Sequence, residues 1–371
     1  MPHKGENIYR CQDGRWAARY LKGHTPDGKA LYGYVYRQSY SDVRRAQAEA
    51  TLRRSGLQAS DSAVSSETLA EFLNRWLQSI QTGVRESTFA NYDGLIRRHI
   101  LPALGDMPLF QVTSSTIQKY IDQKLESGRL DGCGGLSVKT ARDIVGLLKC
   151  SLKSAEIELR IVLPKYSPPN LRVLTREEQR ALIAAAQAED GADGLGVLLS
   201  LFTGIRIGEL CSLKWDDVSF QDGALTVSRT LQRIENLGSD KRNKTVVRVE
   251  PQKNQYSLRV IPLPSPLLCR MKQLRGGARG DDYVLSGSGR YVEPRLCQYR
   301  FKKLIKSAGI ADINFYVLRH TFATRCAELG VDAKTISELL GHASVNVTLN
   351  RYVQSSFDRQ RECLEKLSLF L

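Results

Sequence analysis

Residues 316–325 read YVLRHTFATR, and the chain continues through LLGH (339–342) to TLNRYV (348–353). Two related stretches lie upstream, TGIRIGEL (203–210) and QKNQYSLRVIPL (252–263). Together they hold cationic side chains that suit a phosphate gaining negative charge, and a tyrosine that can act as a nucleophile. The candidates are Arg206, Lys253, Arg319, His342 and Tyr352.

No cluster of carboxylates or of Cys and His ligands accompanies these stretches to hold a catalytic metal. The combination favours phosphoryl transfer on nucleic acid by side chains alone, through a covalent phosphotyrosine and with no cofactor. Taken singly, each candidate has a plainer interpretation as a surface charge, a packed aromatic or a structural histidine. The ordered set is what points to chemistry.

The surroundings of each residue predict a role. Arg206 follows a glycine turn at the start of a helix, where backbone N–H groups add positive potential. Glu209 lies three residues further on and can hold a neighbouring basic group. Arg319, at a second predicted helix start, can supply an opposing guanidinium. Lys253, in a loop beside a strand, can reach a leaving oxygen, and His342, after Gly341 at a helix end, can donate a hydrogen bond.

Composition indicates a polyanionic partner. The 371 residues suit two or three domains, and the net charge of +15 favours binding to nucleic acid through counterion release. Eight scattered cysteines without a CxxC pair are typical of reduced, packed thiols rather than of disulfides or a zinc site. Because the sequence has neither a membrane-length apolar run nor a signal peptide, we expect no membrane partner and a cytoplasmic or nucleoid-associated location.

Residues 1–56 are basic, with eleven Lys and Arg against five Asp and Glu, a net charge of +6. Three strand-like runs (8–12, 16–22 and 31–38) and a helix capped by Ser41 predict a three-stranded sheet backed by a helix. The sheet can lie in a DNA groove, or its tyrosines can simply pack it onto the helix. The candidate DNA-binding residues here are Arg15, Arg19, Tyr32, Tyr34 and Tyr36.

Residues 57–66 (LQASDSAVSS) predict a linker, and residues 67–160 an all-helical domain. The second of its four helices, 86–99, ends in Arg97 and Arg98, which we take as DNA-binding candidates. Ser114 or Ser115 is the expected cap of the third helix, and the fourth is expected over 138–159.

A mixed α+β domain is predicted from residue 170 to residue 371. Thr175 opens a capping box, a helix is expected over 206–214, and strands are expected over 225–230, 246–249 and 258–263. The polar segment 231–245 is expected to protrude. The fold class is therefore multidomain and mainly α with small β parts.

The last two hundred or so residues resemble the catalytic domain of tyrosine recombinases, also called the phage integrase family. That family shows T-G-[LMI]-R-x-[GS]-E, a β-hairpin lysine, H-x-L-R-H, L-G-H, and a tyrosine nine or ten residues later. Here the tyrosine falls ten residues after His342. Residues 67–165 resemble the family's core-binding domain, and residues 1–56 are similar to the arm-site-binding domain of integrases from phages and conjugative transposons.

One position departs from the pattern. Tyr316 occupies the place of the first histidine of H-x-L-R-H, and a phenol can also donate a hydrogen bond or relay a proton. His320 fills the last position of the motif as a supporting residue. Lys253 becomes the better candidate for protonating the 5′ oxygen, with Lys241 and Lys244 as weaker rivals.

The resemblance implies a mechanism and partners. Tyr352 would attack the scissile phosphate to give a 3′-phosphotyrosine, and two rounds of strand exchange through a Holliday junction would recombine double-stranded DNA at core and arm sites. It also implies a homotetramer, with an excisionase or a host DNA-bending protein as accessory factors, and a C-terminal helix (355–371) packed on a neighbour or on its own domain. The alternatives are a chromosome-dimer resolvase, a type IB topoisomerase and a non-catalytic DNA-binding regulator on the same scaffold.

Overall fold

A computed structural model describes residues 7–11, 13–24, 30–54, 67–166, 172–236, 243–252, 256–352 and 365. The chain divides into two compact units, residues 1–166 and 167–371. The predicted linker 57–66 and the helix expected over 355–371 lie outside the described residues, apart from residue 365. The expectation of a mainly helical protein with small sheets is confirmed.

The first unit begins with an antiparallel sheet in the order β1-β2-β3, followed by a helix. The elements are β1 (Ile8–Arg10), β2 (Trp16–His24), β3 (Ala30–Arg37) and α1 (Tyr40–Arg54). Ile8 and Ala18 from one sheet face pack with Val43 of α1 in a small core. The cap of α1 is Ser39 rather than the predicted Ser41, because Ser39 Oγ accepts the N–H of Asp42 at 3.1 Å.

Residues 69–152 form a helical bundle around its own apolar core. Its helices are α2 (Leu69–Ile80), α3 (Glu86–Leu95), α4 (Leu101–Leu104), α5 (Ser114–Ser127) and α6 (Val138–Leu152). A π-helical turn, Ile96–Ile100, joins α3 to α4, so the helix expected over 86–99 is α-helical only as far as Leu95.

Two further boundaries in the bundle differ from expectation. Thr113 caps α5 by accepting the N–H of Thr116 at 3.2 Å, while Ser114 Oγ instead accepts the N–H of Arg160. The last long helix stops at Leu152 rather than near 159, because a 3₁₀ turn (Lys153–Ala155) leads to Glu156 with a left-handed φ of 57°.

The second unit surrounds two small sheets with helices. The order is α7 (Arg176–Ala188), α8 (Ala192–Thr203), α9 (Ile207–Cys211), β4 (Val218–Ser219), β5 (Ala224–Val227), β6 (Arg229–Glu235), β7 (Thr245–Pro251), β8 (Arg259–Pro262), α10 (Ser265–Arg275), α11 (Pro294–Ser307), α12 (Tyr316–Glu328), α13 (Ala333–Leu340) and α14 (Val345–Tyr352). One sheet has the order β4-β5-β8, and β6 pairs with β7 in a hairpin.

Two predictions in this unit need correction, and the structure adds detail to a third. The helix expected over 206–214 is shorter, because Arg206 is its N-cap residue and its last residue is Cys211. The strand expected over 225–230 is two strands separated at Ser228. In the segment 231–245, which was expected to protrude, residues 231–235 and 245 are paired in the β6–β7 hairpin, and 237–242 lie outside the described residues.

Candidate functional site

A glycine turn places Arg206. Helix α8 ends at Thr203, and Gly204 adopts a left-handed φ of 64°. A Cβ at Gly204 would lie 2.5 Å from the ring of Phe322 and 2.7 Å from Leu340, so the turn needs glycine for both conformation and space. Arg206 then enters α9 in extended conformation, with its side chain about one-third exposed.

Glu209 holds Arg206 from the buried side. Its carboxylate accepts the backbone N–H of Arg206 at 3.0 Å and the Nη1–H of the same residue at 2.8 Å. Both oxygens also accept from Arg259, at 3.2 and 2.9 Å. Burial alone would raise the pKa of Glu209, but the charges of Arg259 and Arg206 outweigh it and lower that pKa, so the group is a carboxylate.

Arg319 lies in the first turn of α12 and is 1% exposed. Its Nη1 donates to the carbonyl of Gly204 at 2.8 Å and its Nη2 to the carbonyl of Leu340 at 2.7 Å. Burial, followed by the positive charge of Arg206, lowers the pKa of Arg319 to about 10. Within the described part of the chain, its buried Nε has no hydrogen-bond partner.

The C-terminal end of α13 positions His342. Gly341 has a left-handed φ of 65° and donates to the carbonyl of Glu338, while the N–H of His342 donates to that of Ser337 at 3.0 Å. This is a Schellman motif, which ends a helix with a fixed geometry. The His342 ring Nδ1 lies 2.9 Å from Oγ1 of the buried Thr348, which joins it to α14.

Three arginines from three elements meet at this helix end. Arg259, Arg319 and Arg206 donate to the consecutive carbonyls of residues 339, 340 and 341, at 2.7, 2.7 and 3.3 Å. The last carbonyls of a helix are the negative end of its dipole, so they stabilise cations placed there. The three guanidinium groups therefore form a positive centre next to His342. His342 precedes Tyr352 by ten residues in the sequence.

Sequence reasoning missed Arg259. It is the first residue of β8 and faces inward like Ile261, whereas Val260 between them is 61% exposed. The sequence gives no clear signal for it, because apolar residues lie on both sides of Arg259 and do not show which face of the strand is inward. A buried arginine needs partners, and the structure supplies Glu209 as the main one.

Of the five principal candidates, Lys253 and the side chain of Tyr352 are not described by the structure. Lys253 lies outside the described residues, and Tyr352 is the last residue of α14, with nothing described of its side chain. Gln252, directly before Lys253, donates to Glu209 at 3.3 Å and to the carbonyl of Arg229 at 3.0 Å.

Neither of the two alternative lysines, Lys244 and Lys241, is placed beside Glu209 by the described residues. Lys244 lies at the far end of the β6–β7 hairpin, where its carbonyl accepts from Asn236, so its position does not favour a role beside Glu209. Lys241 lies outside the described residues.

Tyr316 and His320 lie one turn apart on α12. Tyr316 is substantially exposed, and its ring meets the ring of the buried His320 edge-on, with centroids 4.5 Å apart. His320 therefore packs against the ring of Tyr316.

The N-terminal sheet presents an aromatic and basic face on the side away from α1. The tyrosines at positions 9, 32, 34 and 36 are each 45–48% exposed. The guanidinium of Arg19 lies 4.3 Å from the ring centroid of Tyr32, and that of Arg15 lies 5.5 Å from the centroid of Tyr36. Their packing onto the helix, the alternative interpretation, is therefore wrong for these tyrosines.

Arg97 and Arg98 lie in the π-helical turn, and both are exposed. Both oxygens of Asp93 accept the Nε–H of Arg97, each at 2.8 Å, while Arg98 lies across Gly94. A π-helical turn places both arginines near the end of α3.

The sequence profile described as the phage integrase family matches residues 172–359, and that of the N-terminal SAM-like domain of phage integrases matches residues 68–125. The chain belongs to the phage integrase family. Such proteins are tyrosine recombinases, and this chain is accordingly a site-specific recombinase.

Individual relatives agree with this assignment. A tyrosine recombinase XerC-like protein of Caldanaerobacter subterraneus subsp. tengcongensis is 27% identical over 335 residues, which cover 81% of this chain and 83% of the relative. The Tn1549 transposon integrase, solved in complex with transposon right end DNA, has a TM-score of 0.65 at 22% identity and covers 81% of this chain and 100% of its own.

A lambda integrase tetramer bound to a Holliday junction has a TM-score of 0.54 at 20% identity, over 95% of this chain and 98% of that one. At these identities the solved structures show the shared fold. Within the described parts of the chain, none of the helices combines the length and the apolar content that crossing a bilayer requires.

Proposed function

We propose that this recombinase integrates and excises a mobile element by cutting DNA through Tyr352. The observation that carries the proposal is the meeting of three arginines at the end of α13, beside His342 and ten residues before that tyrosine. A pentacoordinate phosphorane carries more negative charge than the diester, so a fixed cationic centre stabilises it preferentially.

The chemistry divides among named groups. The phenolic oxygen of Tyr352 forms a bond to phosphorus as its proton passes to solvent, and the bond from phosphorus to the 5′ oxygen breaks. Arg206 and Arg319 bind the non-bridging oxygens, and His342 donates a hydrogen bond to them. Lys253 gives a proton to the departing 5′ oxygen, with Tyr316 as a polar neighbour of the site.

A 5′ hydroxyl of the partner duplex then attacks the 3′-phosphotyrosine and regenerates the phenol. The phosphodiester energy is kept in the covalent link, so this route uses no ATP and no cofactor. Two such exchanges, with a Holliday junction between them, require four active sites and hence a homotetramer on double-stranded DNA.

We further propose three domains. Residues 1–56 bind arm sites through the face of Arg15, Arg19 and the exposed tyrosines, 67–160 bind core sites with Arg97 and Arg98, and 170–371 catalyse. One protein molecule would then bridge an arm site and a core site, and an excisionase or a host DNA-bending protein would regulate that bridging. The protein would work at the nucleoid.

The test is a nicked suicide duplex that carries the core site, defined by sequencing the junctions of the element that encodes the protein. The wild type should form a covalent protein–DNA adduct, and Tyr352→Phe should form none while binding the duplex equally well. Adduct formation by Tyr352→Phe would remove the nucleophile assignment. Wild-type binding without any adduct would favour the non-catalytic regulator, and supercoil relaxation without strand exchange would favour a topoisomerase.

A second experiment addresses the N-terminal domain. Deleting residues 1–56 should leave core-site cleavage intact and reduce integration, because only the bridging of two sites is lost. Equal integration by the truncated protein would exclude an arm-binding role.

A further inference from the structure

Arg259 makes more side-chain hydrogen bonds inside the protein than Arg206 or Arg319 does. Its side chain is 5% exposed. Nε donates to the carbonyl of Leu339 at 2.7 Å, while Nη1 donates to Glu209 and to the carbonyl of Ser257, each at 3.2 Å. Nη2 donates to the second oxygen of Glu209 at 2.9 Å. All three nitrogens of Arg259 are engaged, two of them with a carboxylate, whereas Nε of Arg319 has no partner among the described residues. Arg259 is therefore less suited than Arg319 to contact a phosphate.

Glu209 creates a problem that Arg259 solves. The carboxylate lies 2.8 Å from Nη1 of Arg206. Without a further charge, the ion pair of Glu209 and Arg206 would be neutral overall. A neutral pair attracts a phosphate weakly, and the reaction needs the charge of Arg206. Because Arg259 binds both oxygens of Glu209, it offsets that negative charge and leaves Arg206 net cationic toward the DNA side.

Arg259 also ties β8 to the end of α13. Besides the bond to Leu339, a Cβ at Gly341 would lie 3.1 Å from Nη1 of Arg259, so the helix end rests on this side chain. The carbonyl of Gly341 accepts from Arg206, and His342 follows it. A displacement of Arg259 would therefore reach Arg206 through two routes, Glu209 and the helix end.

We propose that Arg259 is a positioning residue of the recombination reaction, which sets the charge and the place of Arg206 without touching DNA. This inference rests on the proposed role of Arg206 at the scissile phosphate. It predicts that loss of Arg259 weakens the stabilisation of phosphate charge and leaves DNA affinity intact. A misplacement on the scale of 1 Å costs roughly 10²-fold in rate.

The experiment compares two suicide duplexes, one with the natural scissile phosphodiester and one with a methylphosphonate, which lacks one negative charge. Single-turnover cleavage and DNA binding are measured for Arg259→Gln, Arg259→Lys, Arg206→Ala and Arg233→Gln. Arg233→Gln is the matched control, since Arg233 lies in the neighbouring hairpin and forms a partly exposed ion pair with Glu293.

On the phosphodiester, Arg259→Gln should cleave roughly 10²-fold slower than wild type, with an unchanged dissociation constant. On the methylphosphonate the deficit should shrink to about tenfold or less, in parallel with Arg206→Ala, because less charge needs stabilising. Arg259→Lys keeps the positive charge but not the planar guanidinium. Its cleavage rate should therefore fall between those of wild type and Arg259→Gln. Arg233→Gln should match wild type on both duplexes.

An equal deficit of Arg259→Gln on both duplexes, with Arg206→Ala improved on the methylphosphonate, would overturn the positioning role and leave the proposed function standing. An equal deficit of Arg206→Ala on both would instead overturn the assignment of Arg206. If Arg259→Gln fails to fold, Arg259→Lys decides, because its deficit must also shrink on the uncharged phosphonate.

Discussion

Replacing Arg319 with lysine separates the charge of this residue from its shape. The guanidinium is 1% exposed and bonds the carbonyls of Gly204 and Leu340. A single ammonium cannot reproduce that planar fork. Each buried carbonyl left without a donor costs about 1–3 kcal/mol, so Arg319→Lys should lower the free energy of unfolding by that amount at neutral pH.

The environment of Arg319 also sets a pH dependence for the variant. It lowers the arginine pKa to about 10, and the wild type therefore stays charged up to pH 9. The same burial and the same neighbouring charge would lower the pKa of a lysine at this position below its ordinary value of about 10.4. Because a lysine starts from a lower pKa than an arginine, the variant should lose its charge, and with it the stabilisation of the phosphorane, at a lower pH than the wild type.

Activity and stability should respond with opposite signs. Cleavage by Arg319→Lys relative to wild type should be constant well below the lowered lysine pKa and fall by nearly tenfold per pH unit above it. Between that lowered pKa and the ordinary lysine pKa, the unfolded state binds more protons than the folded state. The variant should therefore gain unfolding free energy as the pH rises through that range.

The assay is single-turnover cleavage of the suicide duplex from pH 6 to 9.5, beside urea unfolding of the same protein. A rate ratio that stays flat or rises with pH would refute the reasoning about burial at this site. An unfolding free energy that falls over the same range, after correction for the wild type, would do so independently.

Three further predictions concern the frame of the site and the N-terminal face. Because the pKa of Glu209 is lowered, its ion pairs stabilise the fold fully at pH values above the ordinary glutamate pKa near 4.5, and this stabilisation is lost as the pH falls through the lowered pKa. Glu209→Gln should therefore make the free energy of unfolding in urea depend less on pH between pH 5 and 3. Gly204→Ala should lower stability by more than about 2 kcal/mol in thermal unfolding. Gly132→Ala, with a similar positive φ but open space around it, should cost only the backbone strain, and equal effects would contradict the close approach of Phe322. Arg19→Ala should reduce the slope of log affinity against log salt for arm DNA by about 1, and Tyr34→Ala should weaken binding without changing that slope, as measured by salt titration of anisotropy.

The sequence was sufficient where local chemistry decides the structure. The capping box at Thr175, the left-handed glycine at 341 and the three-stranded N-terminal sheet follow from residue types and spacing, and the structure has them. Ser39 also precedes Asp42 by three residues, so its preference over Ser41 as a cap was open to prediction from the same rule.

Long-range packing decided what the sequence left open. In LRVI (258–261) three of the four residues are apolar, so the alternation gives no phase, and only packing shows that Arg259 faces inward. The π-helical turn Ile96–Ile100 contains no proline or glycine from which it could be predicted. The convergence of Arg206, Arg259 and Arg319 depends on carbonyls of α13, which no side-chain pattern encodes.

The helix α13 works as a spacer of fixed length. Adjacent residues of an α-helix differ by about 100° in direction, so one inserted or deleted residue between Ala333 and Leu340 would turn all three carbonyls away from their donors at once. Composition within this segment can vary, since its outward side chains are free to change, but its residue count cannot. Engineering of target choice by loop grafting or insertion should therefore keep this helix at eight residues.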